Sequence, residues 1–302
     1  MSETASVNRM KALAELELKP VGAQPGFFRG TMASVRDIVG HRELLGLLIN
    51  RELRARYKDS SLGFIWSLFK PITQMMIYYL VLGQFLQMAR GIPEFAIFVF
   101  SGLTIWTLFN EIVGGGTGSI VANSGLVKKV YLPREIFPLA TVGSSLVNFA
   151  IQFGVLLLGT VLVLDLPRGT NLVYVPLAIV LVVVFATALA LLMSALNVYL
   201  RDVQHLMEIV MMLLFWASPI VYGYRYVYEF FGSGWLNELY LANPVTLAVL
   251  AFQRGIWVAG ADQPFPDHMS LRMLIALAVS IALLWISQRI FARLEGNFAQ
   301  EL

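Results

Sequence analysis

The 302-residue chain contains no cysteine, so disulfides, thiolate metal sites and thiol nucleophiles are all excluded. It is also poor in charge. Only 14% of its residues are Asp, Glu, Lys or Arg, against roughly a quarter in a soluble globular domain. Its three histidines, His41, His205 and His268, are far apart in sequence and do not read as one metal site. Neither His-Glu-x-x-His nor Gly-x-Ser-x-Gly occurs. The run Gly114-Gly115-Gly116-Thr117-Gly118 looks like a phosphate loop, but the chain has no Gly-Lys dipeptide and therefore no Walker A motif. Those glycines are expected to end a helix instead. A formal charge of +3 is too small to suggest a nucleic-acid partner. What the chain has in abundance is apolar sequence: 58% of its residues are hydrophobic, and the mean hydropathy is +0.71. This predicts an integral membrane protein.

The apolar residues fall into six segments, about Phe64–Met88, Phe95–Val113, Pro138–Leu164, Leu172–Tyr199, Glu208–Gly223 and Leu271–Phe291. Each is near or above the length needed to cross about 30 Å of hydrocarbon at 1.5 Å per residue. The fifth is weakest, being interrupted by Ser218-Pro219. A further apolar patch, Leu241–Val258, is broken by Asn243-Pro244 and carries Arg254. Short re-entrant or outer-side helices account for it better than a seventh span, because that charge is costly at mid-membrane. Residues 1–33 read as a flexible cytoplasmic segment and 34–62 as an amphipathic interfacial helix with Ser34 as its N-cap; 63–302 form the transmembrane domain. The fold expected is all-α, with six transmembrane helices. Sixteen Lys and Arg flank one side of the spans and five the other, which predicts that both the N- and C-termini are cytoplasmic.

Three cytoplasmic-side segments carry the remaining information. The first, Leu53–Trp66, holds Arg54, Arg56 and Lys58, with Arg51 just upstream. Such a cluster serves equally as a positive-inside anchor or as a site for an anionic lipid head group. The second, Ser119–Pro138, is longer than a connecting loop requires and contains a short helix candidate, with Asn123 or Ser124 as cap and Pro133 as stop. The third, Asn197–His205, is a turn with an Arg201-Asp202 pair.

In order, spacing and wording these segments resemble the membrane (permease) subunit of ABC-type polysaccharide exporters, the family that exports O-antigen, capsule, teichoic acid and galactan precursors. The resemblance covers the chain from about Arg42 onward. It rests on ARYKDSSLGFIWSLFKP, NSGLVKKVYLPREIFPLA, NVYLRDVQH, FWASPIVY and ANPVTLAVLAFQR. It implies a multi-pass half-transporter of the bacterial cytoplasmic (inner) membrane, a homodimer working with two copies of a separate ATPase. This chain would then hold no cofactor, since ATP and Mg would be bound by the partner. By the same resemblance the ATPase-coupling residues are Asn123, Leu126, Lys128, Lys129, Tyr131, Pro133, Arg134 and Glu135, with Arg201 and Asp202 as a second contact. The implied cargo is a polyprenyl-pyrophosphate-linked polysaccharide. Its head group has candidates in Arg51, Arg54, Arg56 and Lys58. Sugar-stacking candidates are Tyr78, Tyr79, Trp106, Phe109, Trp216 and Tyr222, although aromatics gather at membrane interfaces whatever the cargo. Two alternatives remain: an ABC permease for a small hydrophobic drug or lipid, and a membrane-embedded glycosyl- or acyltransferase using the Asp262, Asp267 and His268 loop.

Overall fold

The computed structural model describes residues 27–57, 65–130, 132–163, 166–167 and 169–302, and among them every regular element is helical. The centre is α4 (Phe95–Ala122), 28 residues that reach about 42 Å and bury most of their side chains. Around it pack α6 (Ile136–Leu162), α7 (Tyr174–Tyr199) and the shorter α11 (Pro244–Ile256), while α12 (Met269–Leu294) lies along α7. Small residues set the closest approach. A Cβ on Gly116 would lie 2.5 Å from Cβ of Ala190, so the α4 and α7 backbones nearly touch there. The glycine run 114–118 thus lies inside α4 and lets helices meet; it does not end a helix as its composition suggested.

Among the described residues four helices are long and apolar enough to cross a membrane, and they cover the second, third, fourth and sixth predicted segments. The other two segments take different forms. The first contains α3 (Ile65–Tyr78), which continues as a π-helical stretch over Tyr79–Phe85. The fifth is α8 (Asp202–Trp216), which starts earlier than expected and stops before Ser218-Pro219 after about 22 Å. After it come two short helices, α9 (Tyr224–Phe231) and α10 (Trp235–Leu241), and then α11. Asn243-Pro244 is a helix start rather than a break: Asn243 Oδ1 accepts the Val245 N–H at 3.0 Å, and Pro244 occupies the first turn, where it gives up no intrahelical bond.

The amphipathic segment forms two helices, α1 (Phe27–Gly40) and α2 (Arg42–Tyr57). They are divided at His41, whose Nδ1 donates to the Asp37 carbonyl at 2.8 Å. Ser34 is therefore internal to α1, not an N-cap, and its hydroxyl oxygen accepts from Gln288 Nε2 at 3.1 Å. α2 docks on the first half of α6, where the Glu52 carboxylate accepts the hydroxyls of Thr141 (3.2 Å) and Ser144 (2.8 Å). A second apolar cluster closes this end of the bundle, formed by Leu48, Ile120, Val127, Ile136, Phe137, Phe291 and Phe298. Phe298 lies on the closing helix α13 (Phe298–Glu301).

Candidate functional site

α3, α4 and α8 enclose a groove of about 670 Å³. Gln74 and Tyr78 reach it from α3, Asn110, Glu111 and Thr117 from α4, and Gln204 and Glu208 from α8. The positions on α4 recur three to four residues apart, which places them on one face. Gly114 and Gly115 lie on the same stretch, so the helix backbone itself forms part of the lining. The Glu111 carboxylate accepts Asn148 Nδ2 from the buried side of α6, at 2.5 Å. Gln74 Nε2 donates to the Tyr78 hydroxyl at 3.2 Å. Aromatic rings from the same three helices line it as well: Trp106 meets Phe215 edge to face at 5.5 Å, and Tyr78 stacks on Phe215 at 6.1 Å. Ring faces beside amides and carboxylates suit a ligand rich in hydroxyls, which presents both C–H faces and hydrogen-bonding edges. Outside the groove, Ile209 and Leu213 of α8 and Phe69, Met76 and Ile77 of α3 are exposed apolar side chains.

Three of the six aromatic candidates, Tyr78, Trp106 and Trp216, line this groove. Phe109 is elsewhere: it is fully buried and stacked on Phe185 at 5.9 Å, in the contact between α4 and α7. Its ring is 5.6 Å from that of Trp106, one turn back on the same helix, but it meets α7 where Trp106 meets α8. Tyr222 donates its hydroxyl to the Trp216 carbonyl at 2.7 Å, and Tyr79 begins the π-helical stretch; neither lines the groove.

At one end of the bundle, α4 stops at Ala122 and α5 (Ser124–Lys129) follows at once. Asn123 occupies the junction without capping α5. Its Nδ2 donates to the Ser119 carbonyl at 2.7 Å, and its Oδ1 accepts from the Arg51 guanidinium. A head-group candidate and a coupling candidate are thus in direct contact. Arg54 is exposed on α2 and Arg56 lies in its last turn, whereas Lys58 and Tyr131 are outside the described residues. α5 turns Val127 into the second apolar cluster and presents Leu126, 37% exposed, and Val130, 50% exposed, together with Lys128 and Lys129. Beyond Pro133, Arg134 lies over the Phe298 ring at 5.7 Å. Glu135 is buried, and burial pushes its carboxyl above the ordinary carboxylate range. It accepts Gln288 Nε2 at 2.8 Å. Gln288 also bonds Ser34, Thr31 (3.0 Å) and Arg289 (3.1 Å), so one side chain joins α1, the segment after α5 and α12. Arg201 and Asp202 are exposed in the turn between α7 and α8 at this same end, where Tyr199 bonds the Leu294 carbonyl.

The family model of ABC-2 type transporters matches residues 43–257, about seven-tenths of the chain. The chain belongs to that family. Across 272 residues it is 32% identical to the O-antigen export system permease protein RfbA of Myxococcus xanthus, covering 89% of this chain and 98% of that one. It is 27% identical to the RfbA of Klebsiella pneumoniae over 86% of this chain and 95% of the relative. It is 22% identical to the polysialic acid transport protein KpsM of Escherichia coli over 78% and 90% respectively. As an ABC-2 transporter subunit it is a membrane protein, and its relatives are transport permeases rather than enzymes. In this permease the residues that sequence reasoning missed are the polar ones of the groove, Gln74, Asn110, Glu111, Gln204 and Glu208. Their signal was present on α8, where Gln204, Met207, Glu208, Met211 and Phe215 recur at helical spacing.

Proposed function

We propose that this chain is the permease subunit of an ATP-driven exporter that moves a polyprenyl-pyrophosphate-linked polysaccharide across the bacterial cytoplasmic membrane. The observation that carries this is the groove of rings, amides and carboxylates along α3, α4 and α8, considered with relatives named for O-antigen and polysialic acid export. A small apolar cargo would displace water from the polar edges of this groove without offering hydrogen bonds in return, which argues against a drug or lipid permease. Six spans are proposed: α3 with its π-helical extension, α4, α6, α7, α8 and α12. The α1–α2 pair lies on the cytoplasmic surface beside both termini, and α9–α11 dip back from the outer side. The groove is open on one flank, and a second copy of the chain would complete it. The pyrophosphate is assigned to the exposed Arg54 of α2 and, from the basic cluster they share with it in sequence, to Arg51, Arg56 and Lys58.

Energy would come from two copies of a separate ATPase holding ATP and Mg. Leu126 and Val130 are the docking anchors, because α5 commits Val127 inward and leaves these two apolar side chains in the open. Co-purification of the Leu126→Ala/Val130→Ala variant with the ATPase is expected to fall about tenfold or more, with membrane insertion intact. Undiminished co-purification and export would remove α5 from the docking site. Topology is checked with the native cysteine-free chain. Asp262→Cys, exposed beyond α11, should react with an impermeant maleimide in intact cells. Lys129→Cys, at the end of α5, should react only after the membrane is opened. Labelling of Lys129→Cys in sealed cells would invert the proposed orientation.

A further inference from the structure

At the end of the bundle away from α5, the last turn of α11 and the starts of α7 and α12 enclose a second hollow, of about 660 Å³. It shares no lining residue with the groove. Its permanent cation is Arg254, and His268 lines it too. The guanidinium lies over the Tyr174 ring at 5.0 Å and the Phe265 ring at 5.4 Å, and Nη1 is 3.7 Å from Met269 Sδ. Ring faces and a thioether hold a cation in place but leave its hydrogen-bonding capacity almost unspent, since a guanidinium has five N–H donors. Among the described residues no carboxylate lies within ion-pair distance of Arg254. Two other arginines of this end are paired, Arg225 with Glu229 at 2.7 Å and Arg272 with Glu238 at 2.6 Å.

The neighbouring groups favour negative charge as well. Met269, Ser270 and Leu271, the first turn of α12, line the hollow, and no side chain caps that helix. Its leading N–H groups and the positive end of its dipole are therefore directed at the same space. The Ser270 and Tyr174 hydroxyls are 3.0 Å apart and tie the starts of α12 and α7 together. Asp267 is the one acidic residue of the lining; it is exposed, and its carbonyl accepts Arg272 Nε at 2.9 Å.

We propose that this hollow binds a single phosphate or carboxylate anion. Arg254 supplies the charge, Ser270 and the first turn of α12 supply neutral donors, and Tyr174, Phe265 and Trp257 seat the organic group that bears the anion. The anion has two sources: the phosphodiester of a membrane lipid, or an acidic sugar of the exported glycan. Only the second source rests on the export reading.

The test uses the full-length protein in neutral detergent and two soluble probes, dihexanoyl phosphatidylglycerol and glucuronic acid, titrated by calorimetry. Saturable one-to-one binding of either probe is expected, and the probe that binds identifies the source. A lipid-only result supports the site even if the export reading fails. Arg254→Gln should weaken binding about tenfold to a hundredfold, the range for losing hydrogen bonds made by a charged group. Arg225→Gln, which removes an already paired guanidinium, should leave binding unchanged. Ser270→Glu should abolish binding by placing a carboxylate in the hollow, and it keeps the test decisive if Arg254→Gln does not fold. Absence of saturable binding to both probes, or unaltered affinity in Arg254→Gln or Ser270→Glu, would overturn the site.

Discussion

Gly116→Ala is expected to lower the yield of folded protein sharply, and to destabilise what remains by about 1–3 kcal/mol, the usual range for an overpacked core. One methyl group has this effect because neither atom in the clash can move by rotating. The new Cβ would lie 2.5 Å from the Ala190 Cβ and 3.3 Å from its Cα, and both belong to long, rigid helices. Relief requires α4 and α7 to separate, which would loosen every layer around them, including the Phe109–Phe185 stack. Removing the opposing methyl should restore stability. The double variant Gly116→Ala/Ala190→Gly is therefore expected to recover most of the thermal midpoint, measured by size-exclusion thermostability in detergent. A single variant as stable as the parent would show that the two helices are not in contact there.

Gln288→Leu is expected to produce the second-largest effect. The glutamine makes four hydrogen bonds from a buried position, one of them to the Glu135 carboxylate. Leucine keeps the volume but leaves that carboxylate without its amide donor, a loss of about 1.5–3 kcal/mol for a hydrogen bond to a charged group. The pH dependence has a definite sign. Burial raises the Glu135 carboxyl in the folded state, and the Gln288 hydrogen bond opposes that rise. A raised carboxyl contributes stability below its unfolded value, and loses it as pH rises through the folded one. Removing the amide raises the folded value further. The gap in thermal midpoint between parent and variant should therefore be smallest in acid, where Glu135 is neutral in both and the other three hydrogen bonds account for it, and widen as the medium becomes alkaline. A gap independent of pH would mean that Gln288 does not act on the charge of Glu135. Because Gln288 joins α1, α12 and the segment following α5, the same variant should also hydrolyse ATP without matching export when assembled with its ATPase.

The long apolar helices were legible because hydropathy over some twenty residues is an average that no single side chain can spoil. Single residues with two meanings were not. Glycine marks helix ends and close helix contacts alike, and nothing local to residues 114–118 reveals that Ala190 and Thr141 stand opposite. Asn243-Pro244 looked like an interruption because a capped helix start and a break have the same local composition. The division at His41 was hidden because apolar spacing continues across it from Val39 to Leu45. In the groove the aromatic residues were half legible. Trp106 and Phe109 are adjacent in pattern, yet their directions depend on which neighbour each meets. The polar lining was overlooked because Gln204 was assigned to a connecting turn, whereas α8 had already begun at Asp202.

The π-helical stretch Tyr79–Phe85 fixes the angular setting of everything before it on α3. Its closing bond, from the Leu86 N–H to the Val81 carbonyl at 3.0 Å, spans five residues rather than four, so each turn there consumes more chain than in an α-helix. Over seven residues the deficit in winding amounts to roughly a third of a revolution. Gln74 and Tyr78 line the groove with that deficit in place. Were Tyr79–Phe85 wound as ordinary α-helix, α3 would be turned by that third of a revolution relative to the chain beyond Phe85. The register of one wide coil thus sets which side of α3 meets the groove.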